Sequence, residues 1–261
     1  MNDTVVRTRL STPAILRAAM ALTSSYEVEV ASQTPTGPGW YSFSGLTSPA
    51  GLRLLAAQAE AHTGAETPVE RSAALGLAAG RVASMLAFAL TGALCLGHGV
   101  LDFEPGALAV RMGPDGPEAL GVAAHGIRVL ETADPEAALA AHYAELVAPL
   151  VDGIGPLQRR GRRALWTDAA DRLIGALFYS HLALGSRDAS EHATRLLAAA
   201  PDRLRHKLTL IPLPEAVWKQ RAVCCLAYQT PAKSGYCMTC PHLCDSDRRG
   251  RTSAWLRDRL G

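Results

Sequence analysis

Cys224-Cys-Leu-Ala-Tyr-Gln-Thr-Pro-Ala-Lys-Ser-Gly-Tyr-Cys-Met-Thr-Cys240 is the stretch on which the reading of this chain turns. It holds a vicinal pair, Cys224-Cys225, then eleven residues, then Cys237-x-x-Cys240. Four of the chain's six cysteines therefore sit within seventeen residues. Thiols this dense ligate a metal or form disulfides. Thiolate is a soft donor that suits zinc, Cu(I) and iron–sulfur clusters. Four thiolates are enough for a tetrahedral zinc site or for a [2Fe-2S] cluster.

The two halves carry different information. Cys237-x-x-Cys240 can aim two sulfurs at one metal of either kind. Cys224 and Cys225 are adjacent and cannot form the short knuckle that zinc ribbons use, and their side chains diverge unless the backbone bends. A dinuclear cluster offers two irons with separate open directions. Geometry alone favours iron–sulfur over zinc, with zinc and a vicinal disulfide left open. Cys244 follows Cys240 at a ferredoxin-like spacing and stays open as an alternative ligand, although a surface thiol is the simpler reading. Cys95 lies in an apolar helix and reads as a small core hydrophobe. His142, His181, His192 and His206 are scattered, and His242 is open as a Rieske-type substitute for a cysteine.

Outward from this stretch, the chain is long enough at 261 residues to build an ordinary core without a staple. Hydrophobic residues make up 48 % and charged residues 19 %, which excludes a disordered polyelectrolyte. The opening residues, Met1 to Arg9, show no basic region followed by an apolar run, so no secretory leader is expected. A cytoplasmic location follows as the expectation, and there clustered cysteines bind metal more often than they pair. Val82 to Leu101 carries no charged residue, long enough for a bilayer span. Its side chains are mostly Ala, and it contains Ser84, Thr91 and His98, so it reads as a buried core helix. No integral membrane span is expected, and a peripheral association stays open.

Helix starts are marked by a capping oxygen before a proline at Thr12-Pro13, Ser48-Pro49, Thr67-Pro68 and Asp134-Pro135. Helices are expected over 12–24, 48–62, 67–96, 135–150, 167–184, 188–200 and 252–260. Strands are expected at Tyr26–Val30, at Ala107–Met112 and Ala119–Ala123 around the turn Gly113-Pro-Asp-Gly116, at Ile127–Leu130 and at Leu208–Ile211. Strands and helices segregate rather than alternate, which predicts an α+β fold: a mainly helical body with a small antiparallel sheet and a cysteine-rich lobe. The body is placed at 1–211 and the lobe at 212–261.

The passage Cys224-Cys225 to Cys237-Met-Thr-Cys240-Pro241, with an aromatic and a proline in the spacer, resembles the ferric siderophore reductases of the FhuF-like family. Arg163-Ala-Leu-Trp166, opening an Ala-rich helix, is similar to a segment before that family's cysteine domain. The resemblance covers residues 160–245. The spacer here is one residue longer than the family's usual ten, which a loop extension around Lys233-Ser-Gly235 absorbs. The resemblance implies a [2Fe-2S] cluster on Cys224, Cys225, Cys237 and Cys240. It also implies one-electron reduction of siderophore-bound Fe(III), with iron released in the cytoplasm. Hard oxygen ligands match Fe(III), and reduction to the softer Fe(II) weakens the complex. Such chemistry needs no general acid or base.

An anionic ferric siderophore calls for a basic surface. Arg159, Arg160, Arg162 and Arg163 supply a candidate, with Trp166 a candidate pocket wall. Arg248, Arg249 and Arg251 form a second basic group. Gly76-x-x-x-Gly80 is not a nucleotide-binding loop, and no dinucleotide fingerprint or P-loop appears, so the electron donor is expected to be another protein or a small diffusible reductant. Two other readings remain at this stage. One is a zinc-stabilised nucleic-acid-binding protein, disfavoured by a net charge of only +2 and a basic face without interleaved aromatics. The other is a non-catalytic iron–sulfur electron carrier or sensor.

Overall fold

The computed structural model describes residues 10–260 apart from 24 and 234. Residues 1–9, on which the leader expectation rests, and position 234 of the loop extension lie outside the described residues.

The elements follow in chain order. They begin with α1 (Thr12–Ala21), β1 (Glu27–Ala31), β2 (Trp40–Ser42), α2 (Phe43–Thr47), α3 (Pro49–Thr63) and α4 (Pro68–Cys95). Next come β3 (Val100–Phe103), β4 (Leu108–Gly113), β5 (Gly116–Ala123), β6 (Ile127–Leu130) and α5 (Pro135–Ile154). The chain finishes with α6 (Arg162–Ala183), α7 (Ser190–Ala199), β7 (Thr209–Pro212), β8 (Val217–Gln220) and α8 (Asp245–Leu260). The fold is α+β, dominated by helix.

The caps behave as their chemistry requires. Ser48, Thr67 and Asp134 accept from the backbone N–H of Gly51, Glu70 and Ala137, and Glu70 returns the bond to Thr67 N. At the first helix the cap is Ser11 rather than Thr12, and its side chain makes no capping bond. α6 begins at Arg162, ahead of the expected start, so Arg162 and Arg163 belong to its first turn. α8 begins at Asp245, where two aspartates complement the positive end of the helix dipole.

The main sheet has the order β1-β5-β4-β2. β4 and β5 form the expected hairpin, and β2 pairs antiparallel with β4. The expectation of a wholly antiparallel sheet is corrected at one edge, where β1 runs parallel to β5 from Glu27 opposite Ala119 to Ala31 opposite Ala123. The cause is the crossover: α2, α3 and α4 intervene between the two strands, and the chain returns in the same direction. β3–β6 and β7–β8 are separate two-stranded antiparallel ribbons.

α4 is the axis of the body and packs against α1, α3, α5 and α6. It is long and apolar enough to cross a membrane, yet 89 % of its most apolar stretch is buried inside the fold. Its Ala and Gly content lets neighbouring helices come close. Met85, Leu86 and Leu90 are fully buried, as are Leu120 and Val122 from β5 and Tyr143 from α5. Tyr143 donates its hydroxyl to the carbonyl of Ala169 at 2.9 Å, which satisfies its one buried polar atom.

Candidate metal centre

β8 delivers the chain to the cysteines. Trp218 and Lys219 are neighbours on this strand and point to opposite faces, and both are buried. Trp218 stacks edge-on against Phe178 of α6. Lys219 meets Asp171 of α6, Nζ to Oδ1 at 3.1 Å. The carboxylate of Asp171 is fully buried and also accepts the backbone N–H of Ala222 at 2.9 Å and of Val223 at 3.2 Å. One side chain of the body therefore fixes the two residues immediately before Cys224.

Asp168, one helical turn earlier, anchors the same segment through charge. It pairs with Arg160 at 3.2 Å, with Arg172 at 3.6 Å and with Arg221. Burial alone would raise its pKa, but Arg172, Arg221 and Arg160 together hold the carboxyl below its ordinary range. Arg221 donates to the carbonyl of Val223 at 3.2 Å, and Arg160 to that of Cys224 at 3.4 Å. Room for these guanidinium groups comes from α4. A Cβ at Gly76 would lie 2.5 Å from the Arg160 guanidinium, and one at Gly80 would lie 2.0 Å from that of Arg172. The Gly76-x-x-x-Gly80 spacing thus has a structural meaning: a recess in the core helix that seats two buried arginines.

The sulfurs converge. Cys224 Sγ and Cys240 Sγ are 3.8 Å apart. Two thiolates on one tetrahedral metal, each at about 2.3 Å, lie roughly 3.8 Å apart. Cys225 lies beside Cys224, Cys237 and Arg221, and these neighbours pull its pKa well below the usual thiol range. The vicinal cysteines are thus each matched with a sulfur of the other half. Cys224, Cys225 and Cys240 are buried, whereas Cys237 is half-buried.

The bend that adjacent cysteines require is present. Leu226 has φ 62°, the one left-handed non-glycine among the described residues. This turn brings Leu226 N within 3.4 Å of Cys224 Sγ and directs Ala227 N toward the sulfur of Cys225. On the other half, Cys240 N bonds the carbonyl of Cys237 at 3.0 Å and closes the Cys-x-x-Cys turn. Two neighbouring sulfur pairs, Cys224 with Cys240 and Cys225 with Cys237, form a donor set that fits an all-cysteine iron–sulfur cluster with two metal ions.

The arginines sort differently from their sequence pattern. Arg159 is exposed. Arg162 is exposed and paired with Asp152 at 2.9 Å, and Arg163 donates to the carbonyls of Asp202 and Arg205. Arg160 is mostly buried: its side chain is 8 % exposed and paired with Asp168. Trp166 is 3 % exposed within the main core, with the guanidinium of Arg203 4.7 Å over its ring. Of the second basic group, Arg248 is buried and donates to the carbonyl of Cys240 at 3.2 Å. Arg249 and Arg251 bond the carbonyls of Pro212 and Tyr236. These three staple the lobe's own backbone. Cys244 is exposed, 3.2 Å from the Ser246 hydroxyl, and Lys233 is an exposed loop residue.

Asp168, Asp171, Lys219 and Arg221 escaped the sequence reading. A signal was there: two acids three residues apart in an Ala- and Leu-rich helix, and two bases two apart on a strand leading into cysteines. Charges at buried periodic positions imply each other.

No curated protein matches the chain. Residues 221–242, which contain all four of the clustered cysteines, match the family model described as the FhuF 2Fe-2S C-terminal domain.

Proposed function

We propose that this protein is a ferric siderophore reductase that works in the cytoplasm. Cys224, Cys225, Cys237 and Cys240 hold a [2Fe-2S] cluster in the lobe of residues 212–261. When bound, that cluster supplies one electron, and siderophore-bound Fe(III) becomes Fe(II), which its hard oxygen ligands hold weakly. The observation that supports this best is the 3.8 Å approach of the Cys224 and Cys240 sulfurs, with Cys225 and Cys237 beside them, within the matched segment.

The chain's own residues do the rest. Asp168 and Asp171 hold the backbone that presents Cys224 and Cys225. Arg221 places a fixed positive charge beside Cys225 and Cys237, and such charge stabilises the reduced, more negative state and raises the potential. Cys237 is the least buried of the four sulfurs and marks the side on which electrons enter and leave. The exposed Arg159 adjoins the arginine that touches the Cys224 carbonyl, and it is the residue assigned to the anionic ligand. A protein or small-molecule reductant recharges the centre.

The deciding experiment is an anaerobic visible spectrum with iron, sulfide and zinc assays on one sample. A red-brown protein with about two irons and two sulfides, bleached by dithionite and recoloured by a ferric siderophore, supports the proposal. A colourless protein carrying zinc ends it.

A further inference from the structure

Away from the cysteine lobe, three side chains from three helices meet at one end of the body. Cys95 is the last residue of α4, His181 lies in the last turn of α6, and His192 lies in the first turn of α7. Their donor atoms all fall within 4.8 Å of one another, and no other such group of histidine, cysteine and carboxylate donors occurs among the described residues. His181 Nε2 and His192 Nδ1 are 2.9 Å apart. We propose that Cys95, His181 and His192 form a second metal site, for one borderline-soft divalent cation of the zinc type, independent of the iron–sulfur lobe.

The donor set argues for this class of ion. One thiolate and two imidazoles suit zinc, whereas calcium and magnesium take oxygen ligands. Two imidazole nitrogens on a tetrahedral ion at about 2.0–2.1 Å sit roughly 3.3 Å apart, so the present separation needs to open by only a few tenths of an ångström. Bringing in the thiol takes a side-chain adjustment of about an ångström. The scaffold is stiff where it matters, because α4 and α6 form the most extensive helix pair in the molecule.

The surroundings supply what a metal histidine needs. The other nitrogen of His192, Nε2, faces Glu136 at 3.8 Å. A carboxylate there orients the ring and leaves Nδ1 as the donor toward the site. Burial lowers the pKa of both histidines and pushes the Cys95 thiol up to about 12, so the thiol gives up its proton only to an incoming ion. The cation and the Cys95 thiolate leave one positive charge, and Glu136, which Arg195 also holds at 3.1 Å, lies across His192 from it. The thiol proton goes to solvent. All three residues are half-buried, which leaves a path of entry and a fourth position for water.

Cobalt(II) is the probe, because it takes zinc sites and reports thiolate coordination through charge-transfer and tetrahedral ligand-field bands. It is added anaerobically to the full-length protein with its lobe metal in place, and read as a difference spectrum. The expected result is one equivalent of cobalt bound with these bands, displaced by zinc. Cys95→Ser abolishes the bands and His192→Gln weakens binding at least tenfold, while the iron–sulfur absorbance of both variants stays as in the parent. Absence of cobalt–thiolate bands in the unmodified protein overturns the proposal whatever the variants do. Bands that keep their affinity in either variant overturn it too.

Discussion

The body around α4 and the lobe around the cysteines are held together by different physics. In the body, the largest fully buried side chains are mostly Leu, Met and Phe, with Tyr143 among them, from helices and sheet. In the lobe, Ala216, Trp218 and Leu256 join the core of the body, and the separate apolar cluster at the cysteines amounts to Cys224, Cys240 and Leu243, with Leu226, Tyr228 and Cys237 against it. What replaces a core there is a set of charged donors to backbone carbonyls and of N–H groups to Asp171. The difference teaches that a metal-binding lobe can borrow its rigidity from an apolar neighbour, through a few buried ions.

Several substitutions separate the two regimes. Cys237→Ser is expected to bleach the cluster and abolish ferric siderophore reduction while far-UV circular dichroism of the helical body is kept. A variant that stays coloured and active breaks the ligand assignment. Asp168→Asn leaves three buried arginines short of their counter-charge, and removing one partner of a buried ion pair costs about 3–5 kcal/mol. Denaturant unfolding measures the loss, and the cluster absorbance should be lost at lower denaturant than the helix signal. Coincident transitions would show that lobe and body are one cooperative unit.

Leu86→Ala creates a cavity in a fully buried site of α4 and should cost about 2–5 kcal/mol. In that variant the visible spectrum before unfolding should match the parent, since no sulfur contact is touched. A changed spectrum would show that packing in α4 reaches the cluster.

The next effect is smaller and depends on pH. His142 Nε2 accepts the N–H of Phe103 at 3.0 Å, and burial lowers the pKa of this histidine from 6.5 despite Asp102 nearby. Its folded pKa lies below the unfolded one. The stability it contributes is therefore present above pH 6.5 and lost as pH falls through the folded value. Thermal melts from pH 7.5 downward should show this slope in the parent and a flatter one in His142→Leu. Equal slopes would remove His142 as the cause.

Leu226→Gly is the mildest. It relieves a left-handed conformation worth roughly 1–2 kcal/mol but frees the unfolded chain, so stability should move by less than about 1 kcal/mol. The cluster spectrum tests whether the bend alone, without a leucine, suffices.

Much of the body was legible beforehand because its signals are local. Capping oxygens before prolines marked α3, α4 and α5 within a residue or two, and the turn at Gly113-Pro-Asp-Gly116 marked the β4–β5 hairpin. β2, β3 and β8 were missed because strands of three or four residues carry too little periodicity, and the partners of β2 and β3 are remote in sequence. The parallel edge was hidden for the same reason: direction belongs to the crossover and not to β1 itself. At the site, spacing brought out the four cysteines. The sorting of the arginines was not legible, since Arg159 and Arg160 are adjacent and chemically identical, and the recess at Gly76 with Asp168 beside it takes Arg160. The left-handed turn at Leu226 left no trace either, for leucine is the last residue composition would suggest there.

That recess bears on the order of assembly. Many small metal lobes are unfolded until their ion arrives. Here the segment leading into the first two cysteines is gripped by Asp168 and Asp171, whose helix docks on α4 through an apolar interface with Arg172 seated against Ser84. The socket is then built before its occupant, and in the proposed reductase the cluster enters a finished receiver with Cys237 at its open rim.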